Sequence, residues 1–229
     1  MWRYVDYLPV TAFGLRPSNT TASGGKSLIC PTPYAIKMAL LDRLLRADGE
    51  GAGRALFPLI RDLALYIRVP DVVAVNRTFQ KVLRPSSKKD ELWTRTIAQR
   101  EFCFHGGVMT FAMPVSEIAG AEERLSRLFA EVGYFGRRGS FFQWAGETWR
   151  DAPPGERFVE ASRGARMGLS PGFLQRMDDM LPEATFDDIS VFNSKAKGAR
   201  TSYTVVYPYV LKSHGAGYTV YAVPERDVT

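Results

Sequence analysis

The first 48 residues constrain the fold most, because a strand pattern, a polar loop and a strongly signalled helix follow one another there. Apolar and aromatic residues predict a strand over Met1–Phe13, and Gly14–Cys30 is a polar, glycine-rich loop. Thr32 is a good N-cap, and Pro33 suits the first helical position because its missing N–H costs nothing there. These signals predict a helix that ends at Gly49 and opens an α/β or α+β fold.

Composition excludes several classes of protein. The 229 residues are 45% hydrophobic and 24% charged, which is ordinary for one large or two small globular domains. Two cysteines far apart, Cys30 and Cys103, with only two histidines, predict a reducing compartment and neither a metal site nor a disulfide framework. No apolar run approaches the roughly 20 residues that a membrane helix needs, and the N-terminus does not read as a signal peptide. We therefore expect a cytoplasmic protein with no cofactor, whose net charge of +6 modestly favours a polyanionic partner.

A basic segment lies between two strand-like runs. Arg77–Arg100 holds seven basic and two acidic residues, so its net charge is +5. Phe79 and Trp93 are interleaved with the basic residues, and Pro85 with Ser86 marks a turn. The segment is either a solvated surface loop or a basic arm that lies on nucleic acid, neutralising phosphates and stacking on bases.

A second basic stretch, Gly133–Trp144, carries Arg137 and Arg138 and no acidic residue. It is read either as an edge strand with a tight glycine turn or as a strand that offers both arginines to phosphate. Adjacent residues of a strand point to opposite faces, so both arginines can face one ligand only if Gly136 and Gly139 form a turn.

The remaining patterns set the order of elements. Helices are predicted over Glu117–Val132, capped by Ser116, and near Ser170, and a hairpin is predicted from the runs Thr201–Leu211 and Tyr218–Val223. The first 144 residues then read β-α-β-β-α-β, which is the order of the ferredoxin-like fold on which RNA-recognition domains are built. We expect an α+β, ferredoxin-like domain over residues 1–144 and a smaller, β-rich region over 145–229.

The chemical motifs are weak. Ser23–Ser27 reads SGGKS, but the glycine that a P-loop needs five residues before Gly25 is Thr20, so we do not expect an NTPase. The loop can still cradle phosphate through Lys26 and its N–H groups.

Neither histidine belongs to a recognisable triad, so we predict no catalytic residues. Metal-independent RNA cleavage needs only an acid and a base near a ribose 2′-OH, which leaves His214 and Tyr218 open as candidates.

Three of these features together resemble a known family. The run PTPYAIKMALLDRLL at Pro31–Leu45, the basic segment at residues 76–100 and the arginine segment Gly136–Ser140 resemble the subunit-five family of CRISPR Cascade complexes, a member of the RAMP superfamily. In that family the basic segment is a β-hairpin thumb. The similarity covers the N-terminal two thirds of the chain and, beyond it, only the terminal hairpin.

The resemblance implies a non-catalytic RNA-binding subunit that takes part in antiviral defence. Such a subunit grips the 5′ handle of the crRNA, pushes its thumb between nucleotides and caps the filament of backbone subunits. The large Cascade subunit docks nearby, and target DNA is reached only indirectly. Two alternatives stay open: a RAMP-type endoribonuclease that processes precursor crRNA, and a protein-interaction scaffold that binds no RNA.

The expected RNA-binding residues follow from the basic segments, the loop and the helix start. They are Arg16, Lys26, Thr32, Lys37, Arg77, Phe79, Lys81, Arg84, Trp93, Arg137 and Arg138.

Overall fold

The computed structural model describes residues 1–20, 25–88, 90–162, 171–190, 193 and 198–224. It is an α+β structure with mostly antiparallel strands and few helices. The elements within these ranges are, in order, β1 (Trp2–Pro9), α1 (Pro33–Asp62), β2 (Tyr66–Arg68), β3 (Val72–Pro85), β4 (Trp93–His105), β5 (Met109–Pro114), α2 (Glu122–Glu131), β6 (Phe142–Arg150), β7 (Val159–Glu160), β8 (Phe173–Met180), β9 (Arg200–Tyr207), β10 (Val210–Gly215) and β11 (Tyr218–Ala222).

The central sheet has five strands in the order β6-β1-β5-β2-β7, and every pairing in it is antiparallel. Its strands and both α-helices contribute to one hydrophobic core, in which Val5, Leu40, Phe111 and Phe129 are completely buried. The chain-start strand therefore lies inside the sheet between two neighbours, as its apolar pattern requires.

The first helix begins where the sequence predicts. Thr32 is the N-cap, and its side chain accepts a hydrogen bond from the Ala35 N–H at 3.2 Å. Gly49 has a φ of 81° and interrupts the helix, but helical backbone continues on its far side to Asp62. The predicted end at Gly49 is therefore a kink, and the residues after it form a second helical segment. Gly53 lets this segment pack against Leu45, whose side chain a Cβ at that position would meet at 2.6 Å.

Two helix predictions are corrected. The helix α2 starts at Glu122, because Val115–Glu117 forms a short 3-10 turn and Gly120 takes a φ of 80°. The segment after Ser170 is the strand β8, paired with β9 along its whole length, and Ser170 itself lies outside the described residues. Its apolar spacing fits a helix or a strand, and the cross-strand hydrogen bonds to β9 decide between them.

The basic segment forms a long antiparallel hairpin of β3 and β4, paired from Val73↔His105 to Pro85↔Trp93. We call residues 76–100 the thumb. The predicted terminal hairpin, β10 with β11, is also present and adds to the base of the thumb in a sheet of order β10-β11-β3-β4. Because β11 pairs only with residues 72–76 of β3, the far half of the thumb is a two-stranded ribbon.

Strands from both sides of residue 144 share two sheets. The strand β7 pairs with β2, and β11 pairs with β3. The division into 1–144 and 145–229 stays a prediction, and hydrogen-bonded sheets connect the two parts.

Candidate nucleic-acid interface

A cavity of about 290 Å³ at the base of the thumb gathers basic side chains from separate segments. Four cationic residues and one acidic residue line it: Arg16, Lys26, Arg100 and Arg137, with Glu101. Arg16 and Lys26 come from the loop after β1, Arg100 from β4 and Arg137 from the loop after α2. The excess of positive charge in one concave place makes the cavity suitable for an anion such as phosphate.

Close backbone contact holds the loop against β4. The Gly25 carbonyl accepts a hydrogen bond from the Glu101 N–H at 2.7 Å, and the Ser27 N–H donates to the Glu101 carboxylate at 3.2 Å. A Cβ at Gly25 would lie 1.8 Å from the Gln99 carbonyl oxygen, so only glycine allows this approach. Lys26 is thereby kept at the cavity, whereas the loop residues Ser23 and Gly24 of the SGGKS run lie outside the described residues.

Arg137 and Arg138 lie in a turn that precedes β6. Gly136 and Gly139 have φ values of 66° and 102°, which is the left-handed region that favours glycine. The Ser140 hydroxyl donates to the Gly14 carbonyl at 3.2 Å and ties the turn to the loop after β1. Both arginines are exposed, and neither has an ion-pair partner in the part of the chain that the structure describes. The turn, and not a strand, is what presents them.

A larger cavity of about 490 Å³ shares Arg16 and Arg137 with the first and extends to the start of α1. Thr32 and Tyr34 line it there, and the Arg200 guanidinium lies 4.0 Å from the centroid of the Tyr34 ring. We call the two cavities, which share Arg16 and Arg137, the groove. It runs from the thumb base to a helix N-terminus, where partial positive charge favours anions, and Asp42 and Asp178 also line its larger part.

The thumb presents different residues on its two faces. The register places Arg77, Phe79, Lys81 and Trp93 on one face and Arg84 on the other. Phe79 and Trp93 are 73% and 60% exposed. Leu83 and Ile97, which are not among the expected RNA-binding residues, lie on the same face and are 65% and 68% exposed. Arg77 lies 3.4 Å from Glu101, whereas Lys81 and Arg84 have no ion-pair partner within the described ranges.

Two of the expected RNA-binding residues have structural roles. Thr32 is 8% exposed and caps α1. Lys37 is 1% exposed, and its ammonium lies 2.6 Å from the Asp179 carboxylate. We therefore remove Lys37 from the candidate interface, because a buried and paired ammonium cannot reach a phosphate.

The histidines show no acid–base pair. His105 is buried, its Nε2 lies 2.6 Å from the Ile29 carbonyl, and burial lowers its pKa to about 4. The pairing His214↔Thr219 and Gly215↔Tyr218 places the His214 and Tyr218 side chains on opposite faces of the sheet.

Two kinds of feature are absent from the described ranges. These ranges contain no cluster of three or more histidine, cysteine, aspartate or glutamate residues that could hold a metal ion. In those same ranges no helix combines the length and apolarity needed to cross a bilayer.

Comparison with known proteins gives one sequence relative, and it belongs to the family that the motifs resemble. No protein-family model matches the sequence. A curated protein from Archaeoglobus fulgidus, named CRISPR-associated protein Cas5, is 24% identical over 195 residues, which are 80% of this chain and 82% of that protein. A solved CRISPR protein from A. fulgidus covers 98% of this chain and 93% of its own at 13% identity, with a TM-score of 0.47, which is too low to support an inference about fold.

The sequence relative agrees with the resemblance carried by the helix start, the thumb and the arginine turn. Its alignment spans four fifths of both proteins, well beyond the N-terminal motifs alone. The family prediction is thereby confirmed, and this chain is a relative of the CRISPR-associated Cas5 proteins.

Proposed function

We propose that this chain is a CRISPR ribonucleoprotein subunit that binds the 5′ handle of the crRNA and caps the filament of backbone Cascade subunits. The observation that carries the proposal is the basic cavity, where Arg16, Lys26, Arg100 and Arg137 meet from separate segments. The family relationship supplies the CRISPR context, and the excess of positive over negative charge in the cavity supports a nucleic-acid ligand.

The strand order supports the RAMP part of the proposal. If the thumb strands and β7 are set aside, the central sheet reads β6-β1-β5-β2 with α1 and α2 as the two connections. That is the split β-α-β order of a ferredoxin-like domain, with the thumb inserted between its second and third strands.

The thumb is proposed to reach beyond the groove. Its far half is an exposed ribbon with Phe79 and Trp93 on one face and no neighbouring strand to cover it within the described ranges. We assign those two rings to insertion between nucleotides, and the adjoining apolar side chains Leu83 and Ile97 to contact with a backbone subunit.

The large Cascade subunit is proposed to dock nearby, and target DNA to be contacted through the complex. No catalytic step is included, because His214 and Tyr218 face opposite ways.

The first experiment is co-expression with the neighbouring genes, followed by purification and sequencing of bound RNA. We expect short RNAs with one common 5′ end. Precursor RNA cleaved by this chain alone would instead support the endoribonuclease, and a complex that stays intact without RNA would support the scaffold.

The site is tested with two double variants that remove equal charge. Arg16→Gln/Arg137→Gln changes the cavity, whereas Arg46→Gln/Arg54→Gln removes two exposed arginines that line neither cavity. We expect only the first to weaken handle binding and to reduce the slope of log affinity against log salt, by about 0.7 for each lost contact to a single strand. Equal weakening by both variants would contradict the assignment of the cavity.

A further inference from the structure

The outer face of the sheet at the thumb base carries exposed aromatic rings that the proposed handle site does not include. This face consists of the even-numbered residues of β3 and the residues that pair with them. Phe104 is 56% exposed and Tyr218 is 48% exposed, although both belong to regular strands. The opposite face of the same sheet is packed into the core, where Val73, Cys103 and His105 are buried. The outer face is therefore the accessible side.

The register arranges these side chains in two rows. Tyr218, Asn76 and Phe102 lie side by side in one row. The next row contains Val220, Ala74 and Phe104. In both rows the middle strand, β3, carries the small or polar residue, which is Asn76 in one row and Ala74 in the other. A shallow floor therefore lies between the larger side chains of the two flanking strands, which are about 10 Å apart.

Two of the rings lie against glycines, Gly215 of β10 and Gly14 of the loop after β1. A Cβ at Gly215 would lie 2.5 Å from Cε1 of Tyr218, so the tyrosine ring extends across Gly215. A Cβ at Gly14 would lie 3.8 Å from the nearest atoms of the Phe102 ring. The Tyr218 ring is thus supported on one side by backbone, with nearly half of the residue open to solvent.

The outer face is continuous with the basic cavity. Arg100 and Phe102, which belong to this face, also line the 290 Å³ cavity with Arg16, Lys26 and Arg137. The positions of the outer face on β3, β4, β10 and β11 include no acidic residue. An RNA strand whose phosphates occupy the cavity could therefore extend its next bases over the aromatic rows, and it would meet no acidic residue at the strand positions of that face.

We propose that the outer face is a stacking platform for unpaired RNA bases, with Phe104 and Tyr218 as the stacking residues and Asn76 facing a base edge. The proposal rests on the proposed function and names a subsite of it. Nucleic acid is favoured over a protein partner because the rings adjoin the basic cavity and the Asn76 amide lies in the row between Tyr218 and Phe102. Flat aromatic side chains beside a basic groove are what single-stranded nucleic acid uses for binding.

The test measures binding of the full chain to a fluorescein-labelled oligouridylate of 12 nucleotides. The variant Phe104→Leu/Tyr218→Leu keeps apolar surface but removes both aromatic faces, and Phe104→Tyr/Tyr218→Phe keeps them. We expect the leucine variant to bind at least fivefold more weakly with an unchanged salt dependence, since loss of one stacked base costs about fivefold or more. The aromatic variant should bind like the wild type.

Two controls separate this inference from the proposed function. Leu174→Ala removes an equally exposed apolar side chain on β8 and should have no effect. Arg16→Gln/Arg137→Gln should weaken binding and lower the salt slope. If that arginine variant weakens binding but the leucine variant does not, the platform is refuted and the proposed function stands. If neither the arginine variant nor the leucine variant weakens binding, both proposals fail. A leucine variant that no longer binds a protein partner but still binds RNA would refute the platform and assign the face to protein docking.

Discussion

The Lys37 ammonium on α1 lies 2.6 Å from the Asp179 carboxylate on β8, and both side chains are almost completely buried. Lys37 also donates to the Arg61 carbonyl at 2.8 Å, near the end of the same kinked helix. Asp179 accepts a further hydrogen bond from the Met180 N–H at 2.8 Å. This pair therefore fastens the helix to the two-stranded sheet of the C-terminal region and holds both halves of the helix in place.

Replacement of Lys37 by methionine should strongly destabilise the protein. The variant removes the ammonium that lies 2.6 Å from the buried Asp179 carboxylate, and removing one partner of a buried ion pair typically costs about 3–5 kcal/mol. Urea unfolding measures the loss, and Lys37→Met/Asp179→Leu should regain part of it because both buried charges are then replaced by apolar side chains. The matched control is Arg46→Met, which breaks an exposed, solvent-screened pair with Asp42 and should have little effect on stability. A Lys37→Met variant as stable as this control would contradict the interior role.

Stability should fall in mild acid because of His105. Burial lowers the folded-state pKa of its imidazole from 6.5 to about 4, and its Nδ1 has no hydrogen-bond partner among the residues that the structure describes. The unfolded state therefore binds the proton first, so stability is present above pH 6.5 and is lost as pH falls from 6.5 towards 4. Between pH 7.5 and pH 5 we expect a loss of about 2 kcal/mol from this group.

The contribution of His105 is isolated by comparison with His105→Gln, whose amide can still donate to the Ile29 carbonyl. The free energy of unfolding of each protein is measured by urea titration at several pH values. The difference between wild type and variant should shrink as pH falls, since only the wild type has an imidazole to charge. A difference that does not change with pH would show that His105 is not the responsible group.

Substitution of Gly25 by alanine should displace the loop from β4. The added Cβ would meet the Gln99 carbonyl at 1.8 Å, and the backbone cannot yield without losing the hydrogen bond from Glu101. We expect weaker RNA binding, because Lys26 would leave the cavity, and a loss of stability of about 1–2 kcal/mol. Anisotropy titration and thermal unfolding check the two effects.

Gly51→Ala is the control for this prediction. Gly51 lies in the second segment of α1, and nothing is within 4 Å of a Cβ at that position. Alanine there should leave RNA binding unchanged and raise stability by about 0.5–1 kcal/mol, because glycine is unfavourable inside a helix. If Gly25→Ala behaved in the same way, the close approach of the loop to β4 would not matter for the cavity.

The sequence by itself determined the local features. Thr32 and Pro33 mark the start of α1, Gly49 marks the end of its first segment, and the basic residues with two interleaved rings and a Pro-Ser turn mark the place of the thumb. Each of these signals acts over a few residues through capping, backbone dihedrals or strand pairing across a short turn. The same holds for the turn that Gly136 and Gly139 form around the two arginines.

Only the tertiary structure decided which of these features meet. The sequence cannot show that Asp179 reaches Lys37, that Gly25 lies on β4, or that Tyr218 joins the thumb sheet, because the partners are 74 to 142 residues apart in the chain. It also gives no local reason for β8 to be a strand, since the same apolar spacing fits a helix and β9 supplies the hydrogen bonds. Long-range pairing therefore converted a lysine of the expected RNA site into an interior ion pair, and brought Arg100 and Phe102 into the groove instead.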